Sequence, residues 1–478
     1  GKEDLTSLKR ADLTINNFTS NGSNGFAIAP SKTASKNAIL YINPHVTFYF
    51  RTEAHMVSEE GLDAYGAVTW GQFFIYQGFN EYCGWMHTSS YADVADVYEE
   101  EITGSENSLT YIYNNQKKQV GKKIINISYK TENELKTKSF DAYYTQHGPV
   151  MGKSSDKWLS LKENNRSLSA LMQSWLRTKA KGLEEFKKVM EMRSNNSNNT
   201  VFADYKGNIA YWHGNFLPKR DPSYNWSLPV PGNTKATEWN GLHALDQTVH
   251  LYNPKSGWIQ NCNSTPFTAA GESSPVKKAY PAYMAPDGQN GRAINAMRLL
   301  SKANNITLDK IIEIGYNTYL SAFDILLPSL FKAYDEHPLD SLKLSLMEPV
   351  HLLKLWDKNA SASSVATTLA VEWAYRLSPR IPPAKTTEEA TNAIGNYQRM
   401  ADMIPANDKL VLLAETIKEL EKLYGTWNIA WGDVNRFQRT DNNQFDDSRP
   451  SIPVGLGPGV WGSLPSYNSR RSDTKKRY

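Results

Sequence analysis

The feature that most constrains the fold is the order in which the hydrophobic period changes along the chain. Short runs of β character come first: Phe26 to Ala29, Ala38 to Ile42 and Val68 to Tyr76, the first two separated by a turn-rich gap at Lys32 to Lys36. Residues 107–151 read as antiparallel ribbons broken at Asn114-Asn115. Helical spacing then links Leu171 with Trp175, and Leu183 with Phe186, Val189 and Met190. Val201-Phe202-Ala203 and Ile209 to Trp212 flank Lys206-Gly207-Asn208 as a hairpin. From Thr307 onward the chain is mostly helical, with a Thr307 cap and a stop at Gly425 after Leu410, Leu413, Ile417, Leu420 and Leu423. This order lacks the regular strand–helix alternation of a doubly wound sheet, so the class is α+β.

Length and charge narrow the function. A chain of 478 residues is too long for one small core. A net charge of +4 over that length argues against a nucleic-acid surface. The basic residues Arg470, Arg471, Lys475, Lys476 and Arg477 read as a solvated edge or loop. There is no run long and apolar enough to span a membrane. Cys83 and Cys262 make no disulfide framework, and free buried thiols are the default reading. The polar stretch 1–22 reads as a linker or pro-segment ending in Asn21-Gly22. There is no Gly-x-Ser-x-Gly elbow, His-Glu-x-x-His, phosphate loop or Cys-x-x-Cys.

A serine after a glycine at a linker-to-strand junction, as at Gly22-Ser23, says little alone. Read in register with other segments it says more. Asn43-Pro44-His45 follows, then Gly78-Phe79-Asn80-Glu81, Asp93-Val94-Ala95-Asp96-Val97 and Thr145-Gln146-His147-Gly148-Pro149-Val150. Leu228-Pro229-Val230-Pro231-Gly232, Asn261-Cys262-Asn263-Ser264, Asn290-Gly291-Arg292 and Trp431 to Arg436 complete the set. In this order the chain resembles the β-chain of the penicillin acylase and acyl-homoserine lactone acylase family, which are N-terminal nucleophile hydrolases.

That resemblance implies a four-layer αββα core over residues 23–300, with the ribbon excursion at 107–151. It places a helical region at 301–425 and a return to the core at 426–478. It implies self-cleavage of a precursor between Gly22 and Ser23, which gives one residue both a nucleophilic hydroxyl and a free amine as its base. By resemblance the oxyanion donors are the Asn263 side-chain amide and the Ser89 backbone N–H, with His45 and Arg292 beside the nucleophile.

By the same resemblance Val46, Gln77 and Asn198 fall at acyl-pocket positions, where small or polar groups would replace the family's apolar walls. Asp93, the Ala95 carbonyl, Asp96 and the Pro222 carbonyl resemble a structural calcium cluster; no cofactor is implied for catalysis. The later aspartate ligand of the family falls near Ser274. The implied substrate is a small acylated amine, and the implied partner is an α-chain from the same precursor. The implied location is periplasmic or secreted. Three further readings stand beside an amidase of lactone-signal type: a glutaryl or cephalosporin acylase, an uncleaved relative acting as a binding protein, and a carbohydrate-binding module drawing on the Trp and Tyr content.

Overall fold

The computed structural model describes residues 22–46, 51–105, 108–164, 167–195, 198–440 and 444–478. The expected pro-segment, apart from Gly22, lies outside the described residues.

Two antiparallel sheets face each other at the centre. The smaller is three-stranded, in the order β6 (Trp258–Asn261), β1 (Ser23–Ile28), β2 (Ile39–Pro44). The larger is seven-stranded, and β3 (Cys83–Ser89), β4 (Asn198–Asp204) and β5 (Ile209–His213) lie side by side within it. Every residue of β1 is buried, because both faces of its sheet are covered. On the inner face Ala27 meets Val201, Tyr211 and Ile259. At Gly25 the sheets come so close that a Cβ would lie 2.6 Å from Met86 Sδ and 3.1 Å from Val201.

Helices cover both outer faces. Phe26, Ile28 and Trp258 of the small sheet pack on Ala293, Ala296 and Leu300 of α1 (Gly291–Leu300) and on Ile311 and Ile314. Trp85, Phe202 and Trp212 of the large sheet pack on Leu183, Phe186 and Met190. The result is four layers, helix–sheet–sheet–helix, which is the αββα arrangement. Side chains alternate across each strand, so β1 sends Phe26 and Ile28 to one helix layer and Ala27 to the other sheet.

A separate helical core gathers Leu326, Leu327, Leu330, Leu369, Trp373, Leu410, Leu413, Trp431 and Trp461. Local signals behave as the sequence suggests. Thr307 accepts a hydrogen bond from Lys310 N, and Gly425 ends its helix at φ 79°. Asn114 and Asn115 turn their ribbon in the left-handed region.

Two local expectations fail. Val68 to Tyr76 is not one strand. The strand Leu62–Thr69 stops there, Gly71 turns at φ 82°, and pairing resumes only at Gln77. The basic tail is not solvated as a whole either. Arg477 is buried over the Tyr375 ring, and both Arg477 and Arg471 reach Glu372 Oε1, at 3.4 and 3.1 Å. A charged run near a chain end reads as exposed unless a distant buried acid receives it. Cys83 and Cys262 are both buried and free.

Candidate active site

Ser23 and Asn24 open β1, and both are buried although polar. Buried polar groups need partners, and the partners here converge from four distant parts of the chain. The Ser23 backbone N–H donates to Asn263 Oδ1 at 2.6 Å. The carbonyl of Gly22 accepts from His45 N at 2.7 Å. Arg292, at the first turn of α1, donates through Nη1 to the Ser23 carbonyl (3.0 Å) and to Asn24 Oδ1 (2.7 Å), and through Nη2 to Asn263 Oδ1 (2.9 Å). Asn24 Nδ2 donates to the carbonyl of Leu464, tying the site to the last stretch of the chain (2.7 Å).

The same packing explains Gly22. A Cβ there would lie 2.6 Å from Arg292 Nη2 and 3.0 Å from Asn263 Oδ1. Arg292 is held by three acceptors, so a side chain before Ser23 would have to displace its guanidinium from them.

His45 is kept neutral. Burial, and then the nearby Arg292 charge, push its pKa down to about 3. One ring nitrogen, Nε2, lies 2.9 Å from Asn43 Oδ1, which also accepts from Asn24 Nδ2 at 3.2 Å. Asn43 Oδ1 is an acceptor, so Nε2 carries the proton and Nδ1 holds the lone pair. Nδ1 is buried with no hydrogen-bond partner. The imidazole is therefore a fixed dipole rather than a charge at any ordinary pH.

Asn263 sits at φ 60° in the left-handed region, which asparagine tolerates better than most residues. Its Oδ1 faces Ser23, and its Nδ2 donates to the Ser89 carbonyl at 2.9 Å. The structure thus brings Ser23, His45, Ser89, Asn263 and Arg292 into one cluster. Of the pocket positions, Val46 is half-buried and follows His45 directly. Asn198 is paired with Ser89 across the β3–β4 ladder and donates to the Tyr76 hydroxyl at 2.6 Å. Gln77 is 1% exposed, and neither atom of its amide has a partner.

The family model described as Penicillin amidase matches residues 2–468. The chain belongs to the penicillin amidase family. It is 25% identical to penicillin G acylase of Escherichia coli over 337 residues, which is 65% of this chain and 37% of that protein. It is 23% identical to the acyl-homoserine lactone acylase PvdQ of Pseudomonas syringae pv. tomato over 502 aligned positions, covering 94% of this chain and 62% of the relative. The chain therefore spans about a third to under two thirds of these curated relatives. Among solved structures, a thermostable penicillin G acylase from Alcaligenes faecalis superposes with a TM-score of 0.66 at 19% identity, over 84% of this chain and 79% of that one. This likeness shows a shared fold, in keeping with the four αββα layers.

For a penicillin amidase family chain, the residues that sequence reasoning left without a role are the ones that hold the site. Asn43, Thr88, Asn199, Asn261 and Asn290 all bond within or directly behind the cluster. The visible signal was the Asn-x-Asn spacing of Asn261 and Asn263, which puts two amides on one turn. Asn43, Thr88 and Asn199 come from strands whose pairing no local pattern reveals, and Asn290 is the N-cap of α1.

Asp93, Ala95, Asp96 and Pro222 lie away from Ser23's contacts. Asp96 is buried. Its Oδ2 accepts from Arg220 Nε at 2.8 Å and from Trp239 Nε1 at 2.5 Å, while Oδ1 has no hydrogen-bond partner. Asp93 Oδ1 is 3.6 Å from Arg220 Nη2. The open carboxylate oxygen fits a hard cation. Among the described residues no three His, Cys, Asp or Glu groups gather to hold a metal. Carbonyl oxygens such as those of Ala95 and Pro222 would have to complete the shell. Among the described residues no helix is long and apolar enough to cross a membrane.

Proposed function

We propose that the chain is the nucleophile-bearing part of an amidohydrolase that removes an acyl group from an amine through an acyl-enzyme on Ser23. The observation that carries this reading is the grip on both sides of one peptide bond. The Gly22 carbonyl is polarised by His45 N–H at 2.7 Å, and the Ser23 nitrogen is held by Asn263 Oδ1 at 2.6 Å. Attack of Ser23 Oγ on the Gly22 carbonyl carbon breaks the C–N bond and leaves the nitrogen as a free α-amine. Water then hydrolyses the resulting ester. The freed amine is the base that a serine hydroxyl needs.

In turnover the amine takes the Ser23 hydroxyl proton as Oγ attacks the substrate amide, and passes it to the departing amine. Asn263 Nδ2 and the Ser89 N–H supply donors to the oxyanion. An α-amine titrates near pH 8 in isolation. Arg292, 3.0 Å from the Ser23 carbonyl, places a like charge beside that amine, which acts to lower this value. We therefore expect the acid limb of kcat/KM to fall below pH 8 and to shift upward in variants lacking the Arg292 charge. His45, held near 3, contributes no limb between pH 5 and 9.

An α-chain from the same precursor belongs to this reading, supported by the relatives' greater length, of which this chain covers 37% and 62%; a periplasmic or secreted location belongs to it through the family resemblance. Within it, the unpartnered Gln77 amide favours acyl groups that carry a hydrogen-bonding atom, as in a glutaryl group, over a phenyl ring. A panel of chromogenic amides with phenylacetyl, glutaryl and long aliphatic acyl groups tests both statements. Turnover of none of them by protein with a free Ser23 amine defeats the amidase reading. Preference for phenylacetyl defeats the pocket argument alone.

A structural calcium ion held by Asp93 and Asp96, with the Ala95 and Pro222 carbonyls, belongs to the same reading. Its support is the open Asp96 oxygen. Millimolar calcium should raise Tm by about 3 °C or more over protein in chelator. Identical melting curves would rule the ion out.

A further inference from the structure

Behind the reactive cluster lies a second, fully buried polar layer that joins residues far apart in sequence. Its centre is the Asn199 amide on β4. Nδ2 donates to the Ser89 carbonyl at 3.2 Å, to Thr88 Oγ1 at 3.0 Å and to Asn261 Oδ1 at 3.2 Å. A carbonyl oxygen only accepts, so this orientation of the amide is set, and Oδ1 faces the other way. There it accepts from the Tyr211 hydroxyl and from His213 Nδ1, both at 2.6 Å.

The other ring nitrogen of His213, Nε2, lies 3.1 Å from Asp287 Oδ2 with both side chains wholly buried; the two atoms are within ion-pair range but not aligned as a hydrogen bond, and neither has a hydrogen-bond partner. Asp287 Oδ1 in turn accepts from Tyr91 N at 2.9 Å, two residues beyond Ser89. At the opposite end Asn261 Oδ1 accepts from Asn263 N at 2.9 Å and from Thr88 Oγ1, while Asn261 Nδ2 donates to the Ser264 carbonyl at 3.1 Å. The loop 261–264 is thereby clamped around the left-handed turn at Asn263.

We propose that the buried Asp287–His213 pair is a positioning device for the two oxyanion donors, acting through the Asn199 and Asn261 amides on Asn263 and on the Ser89–Tyr91 segment. It rests on the amidase reading for its catalytic consequence and on geometry alone for its effect on the two segments. Asp287 pins the Ser89 end directly through Tyr91. Through His213 it backs the Asn199 amide, whose orientation the Ser89 carbonyl sets and whose Oδ1 lies 2.6 Å from His213 Nδ1. Donors aimed at an oxyanion lose their effect when displaced by a fraction of an ångström, so a group that touches no substrate can still set kcat.

The test uses the full chain with Asp287→Asn, which keeps shape and removes the charge facing His213. A companion, His213→Asn, keeps a donor where Nδ1 stands and drops the contact to Asp287. Phe186→Leu in the core under the large sheet is the stability control. The expected result is kcat about 30-fold lower in Asp287→Asn, with KM within about threefold, while Phe186→Leu lowers Tm and leaves kcat alone. Amide hydrogen exchange over residues 258–265 and 88–92 should speed up about tenfold in both site variants, with the remaining chain unchanged.

The exchange arm needs no turnover, so it decides the positioning claim even if the wild-type chain hydrolyses no amide and the amidase reading fails. Should Asp287→Asn not fold, His213→Asn is read the same way. Unchanged exchange in both segments overturns the proposal. So does a kcat that falls only in proportion to lost Tm, as in the control.

Discussion

Replacement of Ser23 by alanine leaves the Gly22–Ser23 bond joined and abolishes amide turnover, while the fold persists. The hydroxyl is the only atom lost. The β1 backbone keeps its pairing with β2 from Ser23↔Pro44 to Ile28↔Ile39, and with β6 from Gly25↔Asn261 to Ile28↔Trp258. Asn263 Oδ1 and Arg292 contact the Ser23 backbone, not its side chain, so their hydrogen bonds remain. Stability should change by less than about 1 kcal/mol. Activity should fall by about 10⁴-fold or more, the scale on which loss of a nucleophile acts. Intact mass and a urea melt together check this. The wild-type chain gives a species beginning at Ser23, and Ser23→Ala gives only the unbroken chain. Ser23→Cys keeps a nucleophile and should restore cleavage at a changed rate. A cleaved Ser23→Ala chain would show that another group cuts the bond.

Replacement of Arg292 by methionine should have the largest combined effect on stability and activity. The guanidinium serves the Ser23 carbonyl, Asn24 Oδ1 and Asn263 Oδ1 from a buried site. Each buried acceptor left short of a donor costs about 1–3 kcal/mol, and the three are neighbours, so their costs do not simply add. A loss of about 3–5 kcal/mol is expected, read as a lower urea midpoint at unchanged slope. The reactive serine then loses the group that orients its carbonyl and Asn263, and kcat should fall by about 10²-fold or more. Arg292→Lys keeps the charge but cannot span three acceptors in a plane, so it should recover the pH limb better than the stability. A methionine variant as stable and active as the wild type would remove Arg292 from the site's architecture.

Helices and turns in this chain were legible where a local physical cause exists. Thr307 caps because its side chain reaches an N–H three residues on, and Gly425 stops a helix because it adopts φ 79° without a Cβ penalty. Val68 to Tyr76 misled because apolar β-branched content marks a pleated surface but not where a turn interrupts it. The Gly71 turn decides that. The basic tail misled for the opposite reason. Glu372, which receives Arg471 and Arg477, lies some hundred residues earlier, and no local pattern connects them.

The sequence alone determined the α+β class and the family, and it named His45, Ser89, Asn263 and Arg292 among the residues around Ser23. Motif order and periodicity are properties of the chain itself, set by backbone geometry and by the chemistry each residue carries. Only the tertiary structure decided that a side chain at position 22 would meet the Arg292 guanidinium, that His45 is uncharged, and that Asn199, His213 and Asp287 stand behind Asn263. Those facts depend on strands that meet after long excursions, where burial and a few ångströms of separation, rather than residue type, set charge and hydrogen bonding.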